Sequence, residues 1–439
     1  MPTPSELIRL DKAHFWHPFT QMQDWCAPDH EPLIIVSGSG SLLRDQHGRE
    51  YIDGNSTIWT NIHGHGHPRL TAAITEQLGR IAHVSALGFT NEPAILLAAA
   101  LVALWPGGIL TRVFFTDDGS TAVECAMKMA IQYWQQSGEP ERCRFIAFDQ
   151  AYHGDTMGAA SLGGVPAFHD RFRRLGLPVH FAGNMDELRA MPAEECKKCA
   201  AVVIEPLIQG AAGMRTWPEG MLRELRAWCD AHGVLLIADE VMTGFGRTGK
   251  MFACHHEDVT PDFVCLAKGL TGGALPLAAT LTTEKVFRTF LGTVEEMKTF
   301  FYGHSYTGNP LGCAAALASL AIFHEERTLE RLQPKIALLS ELLASLHAVH
   351  PRYIQEIRQC GFIAGIDIVK DAAGGVPYPW TEQAGHRICH AARAHGLLTR
   401  PVRDTLVLMP PLCTTEEQLR TAVTALGRAI SSVTGTGEN

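Results

Sequence analysis

No apolar run in this 439-residue sequence reaches the ~20 residues that a membrane-spanning helix needs. The longest, residues 94–104, reads as a buried helical stretch. The first twenty residues, MPTPSELIRLDKAHFWHPFT, mix charge and polarity and have no apolar core of the kind a secretory signal carries, so a cytoplasmic location is expected. A basic excess is missing too: 37 Lys and Arg stand against 46 Asp and Glu, a formal charge of −9, which argues against nucleic acid or an anionic membrane as partner. A second CxxC pair is also lacking. Cys196 and Cys199 form the only one among twelve cysteines, which leaves a structural zinc site without half of its ligands and reads as reduced thiols near a surface loop. No disulfide framework is expected of a chain this long without a secretory signal.

What the sequence does hold is alternation. RVFFT (112–116), RFIAFD (144–149), AAVVIEP (200–206), VLLIADE (234–240) and DFVCLAK (262–268) are strand candidates. Between them, 120–136 spaces Val123, Met127, Ala130 and Trp134 three or four apart, and 221–232 is a second helix. Strands alternating with helices predict an α/β fold with a mainly parallel sheet covered on both faces. The ends differ. Residues 33–53 read as a hairpin, and after 325 come helices with short strands near 361–369 and 405–411. The expected division is a large domain over 71–325, with 1–70 and 326–439 together forming a smaller α+β domain.

Open parallel sheets bind ligands at the carboxyl ends of their strands. Asp239 closes one apolar strand and Lys268 the next, while Gly119 and Ser120 follow a third and open a helix. A pyridoxal-phosphate site has a use for each. A helix start cradles the phosphate, a lysine binds the aldehyde, and a carboxylate keeps the pyridine nitrogen protonated. Tyr152, after RFIAFD, is placed to cover the ring. Taken singly, Asp239 reads as a cap and Lys268 as a solvated turn; their combination gives the pattern weight. Glu205 reads as a strand-end hydrogen-bond acceptor rather than an acid catalyst. His63, His65 and His67 alternate in HGHGHP, but side chains in a glycine-rich turn need not converge, so no metal is expected.

The stretch LLIADEVMTGFGRTGKMFACHHEDVTPDFVCLAKGLTGG (235–273) resembles the class III, or ω-, aminotransferases. That resemblance implies pyridoxal 5'-phosphate, the fold type I architecture and a homodimer with its active site at the subunit interface. It makes Lys268 the covalent attachment point, Asp239 the partner of the ring nitrogen, and Gly119, Ser120, His304 and Ser305 cofactor contacts, with Ser305 reaching across the interface. HFWHPFTQM (14–22), DGNSTIWTNIHGHGHP (53–68), AYHGDTMGA (151–159) and LTRPVRDTLVLMPP (398–411) resemble the branch that aminates 8-amino-7-oxononanoate in biotin synthesis. Phe19, Ile58, Trp59, Tyr152 and Gly303 are then expected to contact substrate, and Arg400 to bind its carboxylate. The branch commonly has tyrosine, tryptophan and tyrosine where this chain has Phe19, Ile58 and Val407. The amino donor is therefore open between S-adenosylmethionine, the default of the branch, and L-lysine, which Phe19 and Ile58 favour. Rival readings are another ω-aminotransferase acting on ornithine, 4-aminobutyrate or a diamine, a non-catalytic regulator, and a metal-binding protein.

Overall fold

The computed structural model describes residues 2–435. A seven-stranded sheet is built from β1 (Leu110–Thr116), β2 (Arg144–Phe148), β3 (Val179–Ala182), β4 (Cys199–Ile204), β5 (Leu235–Asp239), β6 (Phe263–Leu266) and β7 (Ala278–Thr283). The order is β1-β7-β6-β5-β4-β2-β3, with β6, β5, β4, β2 and β3 mutually parallel and β7 antiparallel to both neighbours. The α/β, fold type I expectation holds, with β7 as the exception to a parallel sheet. Its sequence, AATLTT, is small and hydroxylated and lacks the branched apolar run that marks the other inner strands. Its threonines are satisfied internally, as where Thr280 donates to the Ala122 carbonyl at 2.8 Å.

Both faces of the inner strands are dry. Phe145 and Ala147 of β2 pack with helix α1 (Gly119–Gln136), while Ile146 and Phe148 point to the opposite layer with Leu225, Trp228 and Phe252. Strand alternation sends successive residues to opposite faces, so a strand covered on both sides must be apolar or, as in β7, bond its polar groups internally. Cys196 and Cys199 are buried beside this sheet, not near a surface loop, because the second of them begins β4. The helix Glu92–Ala103 is only partly buried in the chain: Leu97 and Leu101 are inside, while Ile95 and Leu96 are exposed.

The two ends of the chain meet. Ile35–Ser39, Leu42–Asp45 and Glu50–Asp53 form an antiparallel meander, joined on its outer edge by the parallel strand Leu397–Leu398. A second antiparallel sheet holds Ile354–Cys360, Ile363–Ile368, Thr405–Leu408 and Pro401–Val402. Arg247, fully buried, ties both ends to the large sheet by donating to the Pro410 carbonyl at 2.9 Å and the Asn61 carbonyl at 2.8 Å. Burial lowers its pKa to about 9, opposed by the nearby charge of Asp53. Replacing Arg247 with Met removes both donors and leaves two carbonyls stranded. The expected loss is about 2–5 kcal/mol, read as a lower midpoint of chemical denaturation; an unchanged midpoint would refute the tie.

Candidate active site

The carboxyl ends of β1, β4, β5 and β6 open into one cavity of about 780 Å³, walled by Trp59, Gly119, Ser120, Tyr152, Glu205, Asp239 and Lys268 among others. Asp239 ends β5, and its carboxylate is aimed by two donors: His153 at 2.7 Å from Oδ2 and the Val241 amide at 3.1 Å from Oδ1. His153 is fully buried, and its Nε2 has no hydrogen-bond partner among the described residues. Lys268 does not close β6, which stops at Leu266. It opens a short turn with φ of +43°, a left-handed conformation that aims the side chain back at the cavity. Its Nζ lies 4.9 Å from the Trp59 ring centroid. Burial lowers its pKa, with the negative charges of Asp239 and Glu205 acting the other way.

Gly119 and Ser120 are the first residues of α1, whose leading N–H groups have no partner in the helix. Asp118 caps the start by accepting from the Thr121 amide at 3.0 Å. The approach of neighbouring chain is close: a Cβ on Gly119 would sit 2.6 Å from Val241 Cγ1, and one on Gly154 would sit 2.4 Å from Ser120. Ser120 Oγ accepts from the Thr156 amide at 2.9 Å and pairs with Thr156 Oγ1 at 2.8 Å, and Thr156 Oγ1 donates to Glu124 at 2.7 Å. Since Thr156 has a single hydroxyl proton, Ser120 is the donor in that pair.

Glu205 is buried, and each oxygen takes a backbone amide: Tyr152 N–H at 3.1 Å and Gly210 N–H at 2.8 Å. The acceptor reading of Glu205 is therefore correct. The Tyr152 hydroxyl donates to Asp155 at 2.7 Å. Phe19, Ile58, Gly303, His304, Ser305 and Arg400 do not wall the cavity in this chain. Phe19 and Arg400 are nonetheless joined at its rim. Arg400 donates to the Phe19 carbonyl at 3.2 Å, and the Phe19 ring meets Phe168, which meets Tyr152, edge to face in both cases. His304 Nδ1 lies 3.5 Å from Asp117, a wall residue, while Gly303 and Ser305 are exposed. Val407 is fully buried under the wall with Met214, Met242 and Met409, against which Trp59 packs.

Trp59 ends a run of four residues, Ser56 to Trp59, that all have φ between 47° and 69°. Left-handed backbone costs a non-glycine residue about 1–2 kcal/mol, so this segment is held by its surroundings. The histidines of HGHGHP take separate partners, His63 to Ser319 at 3.0 Å, His65 to Asp53 at 2.9 Å and His67 to Glu326 at 3.0 Å, although the His63 and His67 rings stay edge to face with centroids 6.0 Å apart. His153 and Thr156 were not picked out from the sequence. Both lie within AYHGDTMGA, one and four residues after Tyr152, and that adjacency was the available signal.

The class III aminotransferase family model matches residues 26–430. This chain belongs to that family. It is a pyridoxal-phosphate-dependent transaminase. It is 46% identical to the adenosylmethionine-8-amino-7-oxononanoate aminotransferase of Geobacter sulfurreducens, over 97% of each chain. The crystal structure of the enzyme of that name from Methanocaldococcus jannaschii is 40% identical, superposes with a TM-score of 0.95, and is matched over 98% of this chain and 99% of that one. An amine transaminase from an uncultivated Pseudomonas, solved in a PLP-bound form, is 33% identical with a TM-score of 0.87, over 95% and 98% of the two chains. The residues of this aminotransferase fit the cofactor. A helix start without a Cβ at its first position suits a phosphate, and an oriented buried carboxylate and a lysine share the cavity with it.

Burial pushes the Glu205 carboxyl up to about 7. An acid whose pKa is higher folded than unfolded stabilises the fold when protonated, so stability falls as pH rises from about 4.5 through about 7. The effect is at most roughly 3 kcal/mol. In Glu205→Gln the denaturation midpoint should decline less between pH 5 and 8 than in wild type. Parallel declines would show that Glu205 does not titrate there.

Proposed function

We propose that this chain transfers an amino group to the keto carbon of 8-amino-7-oxononanoate, giving 7,8-diaminononanoate in biotin synthesis. The supporting observation is the meeting of Lys268, Asp239 and the start of α1 in one cavity, in a chain that aligns end to end with relatives of that activity's name. Bound pyridoxal phosphate supplies an aldehyde carbon that takes up the donor's nitrogen and a ring that draws electrons from the reacting carbon. Lys268 holds the cofactor covalently at rest. When free, its Nζ would take the proton from the donor carbon and, in the second half-reaction, give one to the acceptor carbon. The lowered pKa of Lys268 favours the free base this needs.

Asp239 keeps the ring nitrogen protonated, and His153 fixes the direction of its carboxylate. The amides of Gly119 and Ser120 take the phosphate, and Tyr152 covers the ring. Trp59 in the wall and Phe19 at the rim bound the substrate, Ile58 and Gly303 also contact it, and Arg400 pairs with its terminal carboxylate. Exposed apolar side chains at Leu87, Phe89, Ile95, Leu96, Phe301 and Tyr306 support a homodimer. In that dimer His304 and Ser305 serve the cofactor at the subunit interface.

One site serving two half-reactions gives ping-pong kinetics. Lys268→Ala should lower turnover by roughly 10²–10⁴-fold or more, and borohydride should no longer fix the cofactor to the chain; wild-type activity would overturn the assignment. The donor is decided by mixing the loaded enzyme with S-adenosylmethionine, L-lysine, ornithine, 4-aminobutyrate or a diamine. Absence of a phenol at 19 and an indole at 58 favours lysine. The amine that discharges the cofactor's visible absorbance, with product forming when 8-amino-7-oxononanoate follows, is the donor. If no amine supports that product, the substrate assignment falls.

A further inference from the structure

The left-handed run Ser56–Trp59 needs something to hold it, and one hydrogen-bond network does so. Asp53 Oδ1 accepts from the Thr57 amide at 3.1 Å and the Asn55 amide at 3.3 Å. Its Oδ2 accepts from the Thr57 hydroxyl at 2.8 Å and from His65 Nε2 at 2.9 Å. The other nitrogen of His65, Nδ1, meets Asn61 Nδ2 at 3.1 Å. The Gly64 amide donates to Asn61 Oδ1 at 2.7 Å, which fixes the Asn61 amide with its nitrogen toward His65. Nδ1 of His65 must then be the acceptor, and the ring proton sits on Nε2 and points at Asp53. The network orders itself with no free choice of tautomer.

His65 is itself anchored on the N-terminal meander. Its backbone exchanges hydrogen bonds with Gly40 at 2.7 and 3.0 Å. A Cβ on Gly38 would sit 2.8 Å from the His65 Cβ, and one on Gly64, with φ of +96°, would meet Cys413 and Gly40 at under 3 Å. At the start of the run Ser56 donates to the Met409 carbonyl at 2.7 Å, and at its end Trp59 Nε1 donates to Asn55 at 2.8 Å. The segment is thus clamped between two parts of the chain remote in sequence, with the Trp59 ring facing Lys268 Nζ.

We infer that His65, acting through Asp53, is a positioning residue that holds Ser56–Trp59 left-handed and so sets Trp59 against Lys268 as the wall that meets the amine. The inference rests on the proposed function only for the amine's identity. The placement of the wall stands apart from it. His65 touches neither substrate nor cofactor. Without its N–H, Asp53 loses the only one of its four donors among the described residues that comes from outside the turn, and the run relaxes toward right-handed or extended backbone.

Hydrogen exchange by mass spectrometry of residues 53–62, in wild type and His65→Ala as purified, reads the clamp without any substrate. Protection of 56–60 should fall while that of β4 and β5 stays unchanged. In steady-state assays with the working donor, His65→Ala should raise the donor KM roughly tenfold, a modest instance of what misplacing a binding group does, with kcat changed far less. His65→Gln, whose amide nitrogen again offers a donor to Asp53, should recover most of that loss. A double-mutant cycle completes the test: in a Trp59→Ala background, His65→Ala should have little further effect on KM. Unchanged exchange at 56–60, or additive effects with Trp59→Ala, would overturn the inference. If His65→Ala does not fold, Thr57→Val, which removes one hydroxyl donor to Asp53, must show the same local exchange and the same coupling for the inference to stand. Failure of the substrate assignment would leave the exchange result untouched, so the two can be told apart.

Discussion

Charge kept away from water at the carboxyl edge of the sheet is the constraint from which the rest of this structure follows. Asp239, Glu205, His153 and Lys268 share a small region where desolvation is severe. Each needs a partner or a shifted equilibrium to remain there. Asp239 has two donors, Glu205 has two amides, and Lys268 is poised between desolvation and two carboxylates. The surrounding sheet can supply this because its inner strands end together and offer their last residues, and the amides that follow, to one point.

The same constraint explains how much could be read in advance. Most of the buried strands are apolar, so RFIAFD, AAVVIEP, VLLIADE and DFVCLAK announced themselves, and the polar residues at their ends stood out against them. Gly119–Ser120, Asp239 and Lys268 were legible for that reason. β7 was not, because threonines that bond internally look like a loop in sequence. The strand end at Leu266 was overrun by two residues, since Ala267 and Lys268 continue a strand-like pattern while the backbone already turns. Contacts across long separations were silent as well. Nothing in WHPFTQM says that the Phe19 carbonyl will meet Arg400, and nothing in a buried arginine says that it will collect carbonyls from Asn61 and Pro410.

HGHGHP shows how a motif can be read correctly in part. The glycines at 64 and 66 both take positive φ, so the chain turns at each: His65, between them, goes to Asp53, while the His63 and His67 rings stay 6.0 Å apart. Three histidines at alternate positions therefore serve two elements: the helix Pro310–Glu325, through Ser319 and its C-cap Glu326, and a strand end through Asp53. What looked like one cluster in sequence is a junction where the first part of the chain is fastened to the rest.

That junction bears on the order in which the molecule is made. β1 at residues 110–116 waits for β7 at 278–283 before it joins the sheet. The strand Glu50–Asp53 waits for Leu397–Leu398, and Arg247 and Ser56 wait for carbonyls at Pro410 and Met409. A chain emerging N-terminus first would carry the start of α1, Asp239 and Lys268 outside the ribosome well before the segments that close the wall around them. Such widely separated pairings also slow the search for the native state. Cofactor capture thus belongs to the closing moments of folding, and a chain truncated before residue 410 would carry the reactive lysine in an open, wet groove.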